Sequence, residues 1–330
     1  MKSSRQKTED RRQRVKDYVT VVTCLLSTVY CLSSTANAAR ASKNNFLQEA
    51  DQAYNQGNID KSVELYQKAL IEDPQNAAAA QSLGATYAEK GEWDKAIDSL
   101  NKALALNPGS AEICLDLSLA YNEKKDFEKA AGFAQKAVTI DPKKGGAYLA
   151  LGAAYEGLGE SQKAINAYNQ GIDADPKSSD LYLSLGNLYG KQRAFDKAVK
   201  AYEMAIRQNP KSTFAYSNLA YVYEEKKDEK KAIEILTQAV QTNPNDAVAW
   251  YDLGVAYGKD GNLPKAIENY KKSFDLNPKS YKTCVSLAMA YEKQRSLEKA
   301  AEYYVKAMDL TNEPKLKEAI LRQISRTNNQ

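Results

Sequence analysis

Seven prolines, Pro74, Pro108, Pro142, Pro176, Pro210, Pro244 and Pro278, stand 34 residues apart with no insertion or deletion between them. Such a period leaves few folds open, because each unit must repeat one supersecondary element and stacking must bury what no unit buries alone. Registering the chain on the prolines gives frames 43–76, 77–110, 111–144, 145–178, 179–212, 213–246, 247–280 and 281–314. The stretch 247–278 shows what repeats. Trp250, Leu253, Gly254 and Tyr257 recur at helical period. Asp260, Gly261 and Asn262 predict a turn. A second helix begins near Leu263, with Pro264 in its first turn where a missing N–H costs little, and ends at Asn277-Pro278. Neither helix has enough apolar surface to fold alone.

Three columns hold small residues in every unit. One runs Ala50, Gly84, Ser118, Gly152, Gly186, Ala220, Gly254, Ala288; the others pass through Ala266 and Ser273 of the seventh unit. Small residues belong where helix backbones approach closely, so these columns mark crossing points. Between them lie a leucine column, Leu83 to Leu287, and a tyrosine column, Tyr87 to Tyr291. Asn76, Ser110, Ser178, Ser212, Asp246 and Ser280, two residues after the prolines, are expected to be N-caps worth about 1 kcal/mol each against Ala. Lys144 breaks that column and is followed by Gly145-Gly146, which makes the third-to-fourth junction the least specified.

The order W-x2-L-G-x2-Y, then Ala, a bulky residue, Ala and Pro, resembles the tetratricopeptide repeat family from Lys43 to about Asn312. The resemblance implies an all-α, right-handed superhelical solenoid of stacked antiparallel helix pairs, eight repeats over 43–312. Departures lie at the ends: Glu49 and Ala53 in the first unit, and Asn312 for the proline in the last. Lys315 to Arg326 reads as a capping helix with Leu316, Ala319, Ile320 and Ile324 on one face, so that 315–330 forms a cap and tail.

The resemblance also implies a site. In the family the first helix of each pair lines a concave groove through its second, fifth, ninth and twelfth positions. The fifth and ninth positions here supply Leu115 and Leu119, Leu149, Leu183 and Asn187, Tyr221, Tyr251 and Val255, and Val285 and Met289. Glu112, Asp180, Asn122, Glu156 and Glu224 edge this largely apolar groove. The implied partner is a peptide or helix of another protein. Relatives that grip the carboxylate tail of cytosolic chaperones carry Lys at the fifth position; no unit here does, so that clamp is not expected. A role in the solenoid core alone is the competing reading.

Composition narrows the function further. The chain has a net charge of +4 and no histidine. The whole excess lies in residues 1–38, and residues 39–330 are formally neutral, without the basic footprint of nucleic-acid binding. Without histidine, a phosphate-cradling glycine loop or cysteines at metal spacing, neither catalysis nor a metal, cofactor or small-molecule substrate is expected. Cys114 and Cys284 read as small buried hydrophobes. The N-terminus has a basic stretch to Lys16, an uncharged run Tyr18–Ser34 and then Ala36-Asn37-Ala38. That order predicts a secretory leader over 1–38 cut after Ala38, a short linker over 39–42, and a periplasmic or other extracytoplasmic location. The alternative is an uncleaved leader holding an envelope assembly or secretion accessory factor at the membrane, the one case in which membrane contact is expected.

Overall fold

The computed structural model describes residues 45–312 together with 314, 317, 318 and 320–322. The leader expected over 1–38, with Cys24 and Cys31, the linker expected over 39–42, and Leu316, Ala319 and Ile324 of the expected cap lie outside the described residues. These form two compact units divided between Ile140 and Asp141, at the junction where Lys144 replaces a capping residue.

Unit one comprises α1 (residues 45–55), α2 (Ile59–Glu72), α3 (Ala77–Glu89), α4 (Trp93–Leu106), α5 (Ala111–Glu123) and α6 (Phe127–Ile140). Unit two comprises α7 (Gly145–Gly157), α8 (Ser161–Ala174), α9 (Ser179–Lys191), α10 (Phe195–Gln208), α11 (Thr213–Glu225), α12 (Glu229–Thr242), α13 (Ala247–Lys259), α14 (Leu263–Leu276), α15 (Tyr281–Lys293) and α16 (Leu297–Asp309). Further helical residues follow at 314, 317, 318 and 320–322. Among the described residues there is no strand, and no helix is long and apolar enough to cross a membrane. Within each unit every helix from α2 onward packs on its neighbours in sequence, and the first helices also touch one another, α3 with α5, α7 with α9, α9 with α11 and α11 with α13. The protein is an all-α array of stacked helix pairs.

The small-residue column acts as expected. A Cβ added at Gly152 would lie 2.2 Å from Cε1 of Tyr168, and one at Gly254 2.6 Å from Cδ1 of Tyr270. In the interior units, every tyrosine of that second-helix column (Tyr168, Tyr202, Tyr270) therefore lies against a glycine of the first helix, which makes room for a buried ring. The leucine column is buried throughout; Leu117, Leu219 and Leu287 are fully so. Cys114 and Cys284 are buried free thiols, and burial raises the pKa of both. Ile320 is buried in the cluster that contains Tyr304 and Leu287.

Both kinds of turn have a local cause. Each proline follows Asp or Asn, and the residue two after it donates its N–H back to that residue's carbonyl, as in Asn76 to Asp73 (3.1 Å) and Ser212 to Asn209 (3.0 Å). Pro at the second position of such a turn is pre-set in φ. Asn76, Ser110, Asp246 and Ser280 cap as expected, their side chains accepting from N–H groups of the first helical turn. Ser178 and Ser212 hold the cap position without a side-chain cap. At Ser212 the main chain accounts for this, since the Ala215 N–H goes to the Ser212 carbonyl at 3.1 Å. The turn inside each pair places one residue at positive φ, and the eight form a column: Gly57, Gly91, Lys125, Gly159, Arg193, Lys227, Gly261, Arg295.

A candidate protein-binding face

The second, fifth, ninth and twelfth positions of a helix fall at i, i+3, i+7 and i+10, on one side. In unit two the contacts among α7, α9, α11 and α13 set these sides next to each other. Side-chain hydrogen bonds link the neighbouring first helices: Ser217 Oγ donates to Asp252, Asn218 Nδ2 to Asn187 Oδ1 at 2.8 Å, and Lys191 Nζ to Glu156 Oε2 at 2.8 Å. The result is a continuous first-helix face.

Fifth and ninth positions behave differently on it. Leu149, Leu183, Tyr251 and Val285 at the fifth are half-buried; Leu183 packs against the core of the fifth to seventh repeats, and Tyr251 and Val285 against that of the last two. The Tyr251 ring lies 5.7 Å from that of Tyr270, with its hydroxyl 3.3 Å from Ser286 Oγ. Ninth positions are more open: Tyr221 is 58% and Met289 48% exposed, while Asn187 and Val255 are half-buried. In unit one, Leu115 is half-buried and Leu119 is 50% exposed.

Two cavities gather some of these residues. The larger, about 670 Å³, is lined by Asn187, Asn218, Tyr202 and Tyr221 and flanked by two ion pairs. Glu156 takes the Tyr168 hydroxyl (2.7 Å) on one oxygen and Lys191 on the other, and Arg193 meets Glu225 at 3.3 Å. Burial pushes the Tyr202 phenol up to about 12, so its hydroxyl stays a donor, 2.9 Å from Asn187 Oδ1. The smaller cavity, about 410 Å³, joins Val255 and Met289 beside Tyr270 and Ser286. Glu224, expected at the groove's edge, is held by Lys259 at 2.6 Å. Asn122, expected at the edge in unit one, has its Oδ1 buried.

The face has two large apolar residues that the fifth and ninth columns do not contain. Phe214 is 75% and Val248 55% exposed. They occupy the second position of α11 and α13, and reading that column for apolar as well as acidic residues would have found them.

Models of the tetratricopeptide repeat match residues 179–212, 215–246, 247–280 and 283–318. Residues 46–174 match the middle TPR-like domain of cilia and flagella-associated protein 70. The chain belongs to the tetratricopeptide repeat family. No curated protein matches it. Among solved structures it is similar to MamA, with 32% identity over 49% of this chain and 95% of that one (TM-score 0.45). It is also similar to the APC/C hetero-tetramer Cut9–Hcn1, with 21% identity over 85% and 56% (TM-score 0.50). A third is PilF of Pseudomonas aeruginosa, with 17% identity over 64% and 97% (TM-score 0.51). The last two likenesses concern the fold alone.

Proposed function

We propose that this protein is a non-enzymatic scaffold that holds a peptide or helix of another protein along the first-helix face of unit two. The observation that carries the reading is the open apolar set Phe214, Tyr221 and Val248 on adjoining helices. A contiguous exposed apolar patch is a signature of interaction surfaces, and large aromatic anchors commonly dominate them. Membership of a family whose fold serves as an interaction scaffold supports the same class of function. Leu149, Leu183, Asn187, Tyr251, Val255, Val285 and Met289 would extend the face beside and on either side of the anchors. The test is capture of partners from native envelope extract by wild type and by Phe214→Ser/Tyr221→Ala, at low and high salt. Tyr251 is unsuited to such a test, because its ring supports Tyr270. Loss of capture at unchanged helicity and with little salt dependence is expected; equal capture by the double variant refutes the assignment.

The leader supports a second proposal, that the protein works outside the cytoplasm. N-terminal sequencing of the exported protein decides the form: a start at Ala39 means a free scaffold, and an intact leader means a membrane-held assembly or secretion factor.

A further inference from the structure

A third cavity, of about 390 Å³, lies wholly in unit one, where α4 ends, α5 begins and α6 passes. It is lined by Leu104, Pro108, Cys114, Gln135, Lys136, Thr139 and Ile140. Its volume falls in the range of about 300–1,000 Å³ usual for small-molecule sites, and so does its build, mostly apolar with few polar groups. The Thr139 hydroxyl is already used, donating to the Gln135 carbonyl at 2.8 Å. Lys136 brings the one charge in the lining. Burial raises the pKa of the Cys114 thiol and the Lys136 charge draws it back, so the ammonium acts on the cavity's interior.

That charge lacks the partner its equivalents have. Lys68, Lys102, Lys272 and Lys306 hold the same place in other repeats, and each has Asp or Glu four residues earlier. Lys68 meets Glu64 at 2.6 Å and Lys306 meets Glu302 at 2.7 Å. Lys136 has Gly132 there. Packing does not call for this glycine, because a Cβ at Gly132 would meet nothing within 4 Å, and glycine is poor in a helix interior. Among the described residues the Lys136 ammonium has a ring beside it, Phe133 at 5.0 Å, and no carboxylate. The eighth repeat builds the same place differently. Phe274 stands where Leu104 does, and Lys306 lies 5.6 Å from its ring centroid.

We propose that this cleft binds an alkyl carboxylate, a fatty acid, as a ligand and not a substrate, its chain along Leu104, Pro108 and Ile140 and its carboxylate on Lys136. The apolar lining asks for a chain, and the unpaired cation asks for one negative charge. The site is separate from the first-helix face of unit two and does not rest on the scaffold reading.

Equilibrium dialysis of the full chain against octanoate tests this, with octanol (the chain without the charge) and acetate (the charge without the chain) as companions. One saturable octanoate site is expected, with octanol about five-fold weaker and acetate unbound. Gly132→Glu supplies the missing partner in the favoured order, acid four residues before lysine. It should weaken octanoate about five-fold, the upper range for an exposed ion pair, and leave octanol unchanged. Lys136→Met, which keeps the aliphatic stem, should do the same. Leu104→Phe, copying the eighth repeat, should remove binding of both. Phe214→Ser/Tyr221→Ala should alter neither, which distinguishes the cleft from the face in unit two. No saturable octanoate uptake by wild type overturns the proposal whatever the variants do. Octanol binding as tightly as octanoate, equal octanoate binding by Gly132→Glu or Lys136→Met, or its loss in the Phe214/Tyr221 variant overturns it as well.

Discussion

Lys265 Nζ stands 4.9 Å from the centroid of the Tyr257 ring, across the turn that joins α13 to α14. The same contact closes every pair from the second to the eighth, through Lys95, Lys129, Lys163, Lys197, Lys231 and Lys299 over Tyr87, Tyr121, Tyr155, Tyr189, Tyr223 and Tyr291. A cation over a ring at such exposed sites contributes about 0.5–1 kcal/mol. Lys265→Met, which keeps the aliphatic stem, should lower stability by about that amount in urea titration. No change in midpoint would mean that the lysine column only solvates the turn.

Gly186 and Tyr202 form a tightly matched pair, since a Cβ at Gly186 would sit 2.6 Å from Cε1 of the ring. Gly186→Ala should cost about 1–3 kcal/mol through overpacking. Tyr202→Leu in the same chain should recover part of it, because the Ala220 unit already has Leu236 in the equivalent place. Repeat arrays are stabilised by nearest-neighbour terms. Hydrogen exchange should therefore loosen around α9 and α10 first, and uniform loss of protection across the chain would contradict that.

Lys227 adopts φ 63°, a region that costs a residue with a Cβ about 1–2 kcal/mol. The equivalent residue in the seventh unit is Gly261, at φ 82°. Lys227→Gly should raise the unfolding midpoint, by a net gain of about 0.5–1 kcal/mol after the added freedom of the unfolded chain. A lower midpoint would show that the lysine makes a compensating contact.

Asp252 has a defined pH signature. Burial raises its carboxyl above the usual 3.8, the Ser217 hydroxyl draws it the other way, and Asp246 and Glu224 push it further up. Because the folded pKa exceeds the unfolded one, its stabilising contribution is complete below about pH 3.8 and disappears as pH rises through the folded value. Asp252→Asn should then be more stable than wild type at pH 7, with the difference vanishing below about pH 3.8. Urea titrations at the two pH values check this; a variant less stable at pH 7 would refute it.

The fold was legible because its determinants are columns. Proline turns, the Gly–Tyr crossings and the leucine core each repeat at one register, so a residue that is ambiguous alone is decided by its equivalents. The lysine column was equally visible at its 34-residue spacing, but a lysine reads as solvated until a ring is placed beneath it. Lys125, Arg193, Lys227 and Arg295 at positive φ could be read only by analogy with the glycines of their column. The site was less legible. Fifth-position residues such as Tyr251 and Val285 serve inter-helix packing as well as the surface, and sequence register cannot apportion the two. Phe214 shows the reverse case, an apolar residue whose exposure follows from register but not from composition. The Asn187–Asn218 pair lies 31 residues apart, off the repeat spacing, and only the packing of α9 on α11 brings it together.

The most direct measurement is footprinting of Tyr221 with a tyrosine-nitrating reagent, with and without captured partner. Tyr54, 38% exposed on α1 of unit one, serves as the internal reference against Tyr221 at 58%. With partner bound, nitration of Tyr221 should fall strongly while that of Tyr54 is unchanged. Equal nitration of Tyr221 in the free and bound protein would place the partner elsewhere and contradict the assignment of the first-helix face.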